Sequence, residues 1–254
     1  MTKQLMIYDN IQPLNSEAHR TYAVKVDSYD FAAEMTSVPI LATEIAFASA
    51  EYPVIFSAPN QDGEHMPLAM MGVKQGENLM LDADGKIDAS YIPAFIRRYP
   101  FVFAATNDNK DLTLCIDDES KTVIKDGSAG KRLFDDNGEQ TDYLKEVLGF
   151  LQDYQYRAEM TRNFCKKLAE LELLEPMQAN IEFKGNADAN MSIKGFYTIK
   201  REKLKALTDE QALDLFKKDG LELIYAHLQS MSNLNKLIER KNLRLNQEKM
   251  AANG

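Results

Sequence analysis

From Thr141 to Leu174 the chain places apolar residues three and four apart. They fall at Tyr143, Leu144, Val147, Leu148, Leu151 and Tyr154, then at Phe164, Leu168 and Leu171. This spacing predicts a long amphipathic helical segment, which Pro176 closes. A helix in water owes most of its stability to whatever packs on its apolar stripe, so this segment demands a fold with other elements laid against it.

The residues before it supply such elements. Val24 and Val26 sit two apart in a candidate strand at Ala23–Val26. Thr43 to Glu51 reads as a helix with Thr43 as its cap, and Pro53 must end it because a residue before proline is pushed out of the helical region. A β-type run, Val54-Ile55-Phe56, follows. The same order recurs downstream: a short helix over Tyr91–Arg98, a stop at Tyr99-Pro100, then Phe101-Val102-Phe103. The segments joining the two Tyr-Pro units match poorly, so one local solution used twice explains them better than duplication.

Between the units, Leu68–Val73 and Asn78–Leu81 are expected as strands, with Asp84-Gly85 as a tight turn. Leu112–Ile116 and Thr122–Ile124 are two more, followed by a loop at Gly127–Gly130 and a turn at Asn137-Gly138. Beyond Pro176, strands are expected around Phe183 and over Ile193–Ile199. Thr208 and Gln211 have the spacing of a capping box. Gly220 breaks that helix, and an apolar stripe of Leu221, Ile224, Tyr225, Leu228, Met231, Leu234, Leu237 and Ile238 predicts a long C-terminal helix.

Composition removes several classes of function. The formal charge of -9 over 254 residues argues against nucleic acid and anionic membrane surfaces, both of which need clustered Lys and Arg. No apolar run has the length of a membrane span, which argues against a transporter, and Leu5–Ile7 is too short for the core of a signal peptide. A cytoplasmic protein is expected, with signal-independent export to the cell surface left open. Cys115 and Cys165 lie in apolar patterns and read as buried free thiols.

Chemical motifs are sparse. Asp82-Ala83-Asp84-Gly85 has glycine at position 4, where a calcium loop needs it at position 6. Gly127-Ser128-Ala129-Gly130-Lys131-Arg132 has neither the spacing nor the Ser or Thr of a phosphate loop. His19, His65 and His227 are far apart, and His227 reads as a structural histidine near an apolar face. No catalytic residue, metal site or cofactor is therefore expected. The most pointed segment is Tyr91 to Phe101, in which Arg97 and Arg98 interrupt apolar and aromatic residues. Neighbouring side chains on a helix diverge by about 100°. The two arginines either hold carboxylates and carbonyls of the fold or form a fork for an anionic group on a ligand. Asn78, Tyr91, Arg97, Arg98 and Tyr99 are the candidate binding residues.

Several segments together resemble the bacterial SapC family. They include Val38-Pro39-Ile40, Glu51 to Phe56, Met71-Gly72-Val73 with Glu77-Asn78-Leu79, and Tyr91-Ile92-Pro93. Arg97 to Phe101, Cys115-Ile116-Asp117, Leu133-Phe134-Asp135 with Gly138, Gly195-Phe196, Leu207-Thr208-Asp209 and Ala226-His227-Leu228 continue the match in order. Ile87 stands where the family suggests tryptophan. The resemblance implies a link to a paracrystalline bacterial surface layer and supplies no activity or catalytic residue. Gene neighbourhoods of such relatives, beside flavin-dependent halogenase-like and outer-membrane receptor proteins, suit an accessory role.

The expected fold is α+β, with antiparallel strands and short helices in the N-terminal half and a helix-dominated C-terminal half. Residues 1–20 are expected as an irregular arm, 21–246 as a single domain with a sub-division near 140, and 247–254 as a frayed tail. The expected function is that of a non-enzymatic binding or structural protein, self-associating through Leu228 and Leu234 of the C-terminal stripe. The alternative is an accessory protein or enzyme that binds an anionic small molecule or peptide near Arg97 and Arg98.

Overall fold

The structure is a computed structural model, and it describes residues 7–106 and 111–252. The chain is α+β and divides into two compact units, each assembled from two separated stretches. The first unit takes Met1–Ala32 and Ala94–Tyr156, and the second takes Ala33–Pro93 and Arg157–Gly254.

In the first unit, strand β1 (Ile11–Pro13) lies antiparallel to β7 (Asp111–Asp117), which pairs on its other side with β6 (Phe101–Thr106). The strand at Ile11–Pro13 corrects the expectation of an irregular arm there. It has little periodicity because only its edge is used, and Pro13 is tolerated on an edge that needs no donor. A second small sheet orders β8 (Val123–Ile124), β2 (Ala23–Val24) and β9 (Lys131–Arg132). Short helix α2 (Ala94–Arg97) leads into β6 through a cis Tyr99-Pro100 peptide. The core gathers Val24, Phe101, Ile116, Leu133, Phe134, Leu144 and Leu151. Leu144 and Leu151 come from α3 (Asp142–Glu170), whose residues up to Tyr156 belong to this unit. Thr141 opens α3 by accepting the Leu144 amide.

The second unit holds a five-stranded antiparallel sheet of β3 (Ser37–Pro39), β4 (Val54–Ser57), β5 (Pro67–Met70), β10 (Leu174–Ile181) and β11 (Met191–Ile199). Their order is β10-β11-β4-β5-β3. β10 corrects the expectation that helix runs to Leu174 and that Pro176 marks a break. The helix ends at Glu170, Glu172 turns the chain with a positive φ of 53°, and Pro176 sits in the outermost strand. Asn78–Leu81 is not a strand; only Leu81 bridges to Ile87 across the turn at Gly85. The helix expected over Thr43–Glu51 is shorter, a 3-10 turn at Ala42–Glu44 followed by α1 (Ile45–Ala48). Its start is held by the Glu44 carboxylate, which accepts the Leu41 amide at 2.7 Å, and not by Thr43.

After α4 (Arg201–Lys205), α5 (Asp209–Lys217) opens on the expected Thr208–Gln211 capping box. The long C-terminal helix is in fact two, α6 (Gly220–Ser230) and α7 (Leu234–Ala252), parted by a 3-10 turn at Met231–Asn233. At the break Asn233 turns inward and donates to the carbonyls of Ser49 and Tyr52. The stripe is largely used within the unit. Ile224 belongs to the core of Phe56, Cys165, Leu168, Leu173, Ile199 and Leu215, and Leu221 and Leu228 pack against it. Leu237 is buried as well, while Leu234 is half-buried.

Candidate functional site

Arg98 follows α2 by one residue, its amide donating to Ala94 as the helix ends. Its guanidinium carbon lies 4.3 Å from the centre of the Phe95 ring, 4.9 Å from Tyr154 and 5.9 Å from Tyr8. Phe95 is three residues back, on the same helical face. α3 supplies Tyr154, and Tyr8 comes from the stretch before β1. Among the described residues no carboxylate pairs with Arg98, and its Nε is buried without a hydrogen-bond partner. The π-faces therefore do the work that an acid usually does, holding a weakly hydrated cation without neutralising it. Burial pushes the Tyr8 hydroxyl up to about 12, with the Arg98 charge pulling the other way. That hydroxyl donates to the Phe101 carbonyl at 2.8 Å.

The neighbours of Arg98 have different tasks. Arg97 is exposed, 5.2 Å from the Phe150 ring. Tyr99 is buried; its ring stacks on Phe31 at 4.1 Å and meets Tyr8 edge-on at 5.2 Å. Its hydroxyl donates to Asp117 at 3.1 Å, and burial raises its pKa. Asp117, fully buried, also accepts the amides of Asp9 and Asn10, each at 2.9 Å. This carboxylate ties β7 to the segment that carries Tyr8 and so fixes one wall of the cage.

Asn78 and Tyr91 belong to the second unit. Asn78 is buried; its side-chain oxygen accepts the Met80 amide at 2.9 Å, and its carbonyl accepts Arg244 at 3.1 Å. Tyr91 donates its hydroxyl to Glu44, stacks on Phe47 at 5.6 Å, and accepts the Tyr52 hydroxyl at its carbonyl. The structure thus gives Arg97, Arg98 and Tyr99 one setting and Asn78 and Tyr91 two others. Tyr8, Phe95 and Tyr154 are the residues that sequence reasoning missed. Only Phe95, at helical spacing from Arg98, left a readable trace.

Elsewhere both cysteines and His227 are buried. Burial raises the Cys115 thiol and pushes that of Cys165 up to about 12. His227 is fully buried between three partners, donating from Nδ1 to Val54 and accepting at Nε2 from Thr198 and Ile199. His65 contacts the Ser57 carbonyl through Nδ1 at 2.8 Å. Among the described residues no three His, Cys, Asp or Glu side chains come together in a way that could hold a metal, and no helix is long and apolar enough to cross a membrane.

The chain thus folds as two α+β units, each assembled from two stretches, and the first carries an arginine held among three aromatic rings. The chain belongs to the SapC family, whose model matches residues 14–237. No curated protein and no solved structure matches it.

Proposed function

We propose that this SapC-family chain is a non-enzymatic binding protein that receives an anionic group, a carboxylate or phosphate on a small molecule or peptide, at Arg98. The observation that carries the reading is the guanidinium fixed by Phe95, Tyr154 and Tyr8 with no carboxylate paired to it among the described residues. A half-buried cation held in this way retains its charge, and it needs little further ordering when an anion arrives. The high thiol pKa values and the fully engaged His227 support binding over catalysis, because neither group is poised as a nucleophile or base.

Calorimetric titration with inorganic phosphate and with acetate, at low and high salt, tests the reading. Saturable binding that weakens with salt is expected for at least one of the two anions. Arg98→Lys, which keeps the charge and the cage but loses the fork, should bind about tenfold more weakly, or ~1.4 kcal/mol. Arg98→Met should abolish binding, with its melting temperature checked in parallel. Absence of binding by the unaltered protein, or equal binding by Arg98→Lys and Arg98→Met, would overturn it.

A further inference from the structure

A cavity of about 570 Å³ opens in the first unit, lined by none of the residues that hold Arg98. Its apolar side is formed by Leu14, Leu114 and Leu148, with Phe134 and Leu144 of the core behind them. Its polar side carries Asn15, Ser16 and Gln140. The volume falls in the range of small-molecule sites, where an apolar wall supplies affinity and a few polar groups fix orientation.

The polar side has unused capacity. The Asn15 side-chain oxygen accepts the amides of Glu17 and Ala18, which leaves its NH2 without a protein partner among the described residues. The Ser16 hydroxyl and the Gln140 amide likewise have none. Two charged residues also line the cavity, Glu139 and Lys145. Glu139 repels an anion, and Lys145 meets Asp142 at 3.1 Å with both side chains exposed. A cationic group would in turn meet Lys145. Opposed charges at one opening favour a ligand that carries neither.

We propose that this cavity binds an uncharged amphiphile, with its hydrocarbon chain on Leu14, Leu114 and Leu148 and a neutral hydroxyl- or amide-bearing head on Asn15, Ser16 and Gln140. The experiment is titration of the full-length protein with octyl glucoside below its micellar concentration, followed by amide chemical shifts. Octanoate and octylamine serve as charged counterparts of the same chain length. One saturable site is expected, with shifts centred on residues 14–16 and 138–148 and with both charged compounds binding at least tenfold more weakly. Leu148→Trp and Ser16→Trp, at half-buried positions outside the central core, should each fill the space and weaken binding at least tenfold with unchanged circular dichroism. Arg98→Met should leave this binding intact, which separates the cavity from the anion site. Shifts without saturation, shifts centred elsewhere, unchanged binding in both tryptophan variants, or tighter binding of octanoate or octylamine would each overturn the proposal.

Discussion

His227 shows how one side chain can set the acid limit of a unit. Desolvation lowers its pKa from 6.5 to about 4, and its three hydrogen bonds suit only the neutral ring protonated at Nδ1. Protonation would aim a new N–H at the Ile199 amide, which is itself a donor. The unfolded chain binds this proton more readily, so the stability is fully present above about pH 6.5 and is lost as pH falls toward 4. A shift of this size corresponds to about 3 kcal/mol. Thermal unfolding followed from pH 7 to 4 should show the loss, and His227→Gln, less stable at pH 7, should flatten the curve across that window. Lys241 and Glu77 form another sensitive contact, 2.6 Å apart with side chains 12% and 16% exposed. Lys241→Met strands a largely buried carboxylate and should cost about 3 kcal/mol in urea unfolding. Replacing Glu77 with Leu in the same chain should recover part of that loss. The carbonyl of Glu77 also explains Gly72, where an added Cβ would lie 2.3 Å from it.

At the scale of elements, local chemistry was legible and long-range pairing was not. The α5 cap depends on two residues three apart, and both the sequence and the structure have it at Thr208 and Gln211. Thr208→Ala should therefore lower stability by about 1 kcal/mol, read as a drop in the urea midpoint at constant slope. β10 was hidden because its proline reads as a break unless the strand is known to be outermost. The division of α6 from α7 was hidden because the stripe continues in register across Met231–Asn233, and only the inward turn of Asn233 toward Ser49 and Tyr52 reveals the break. Asn78–Leu81 has the composition of a strand, but its carbonyls are taken by arginines. Arg244 donates to those of Asn78 and Leu81, and Arg240 to that of Leu79. The candidate site divides in the same way. Arg97 and Arg98 stand out in sequence as charges among apolar residues. Tyr8 and Tyr154 carry no such mark, since nothing in their own segments points to a distant arginine.

For the molecule as a whole, the main consequence lies in how each unit is cut from the chain. Val54, Ser49 and Asn78 belong to the first stretch of the second unit, whereas His227, Asn233 and Arg244, which hold them, belong to its second stretch. A ribosome makes these partners at different times. When β3, β4 and β5 emerge, the residues that will cover and anchor them do not yet exist, and all of Ala94–Tyr156 must be made first. At ordinary rates of synthesis the gap between Pro93 and His227 lasts on the order of ten seconds. During that interval Val54, Ile55 and Phe56, buried in the finished protein, are presented to the crowded cell. The nascent chain is thus most exposed to wrong partners midway through its own making, and a chaperone that meets it there would find an apolar strand awaiting its histidine.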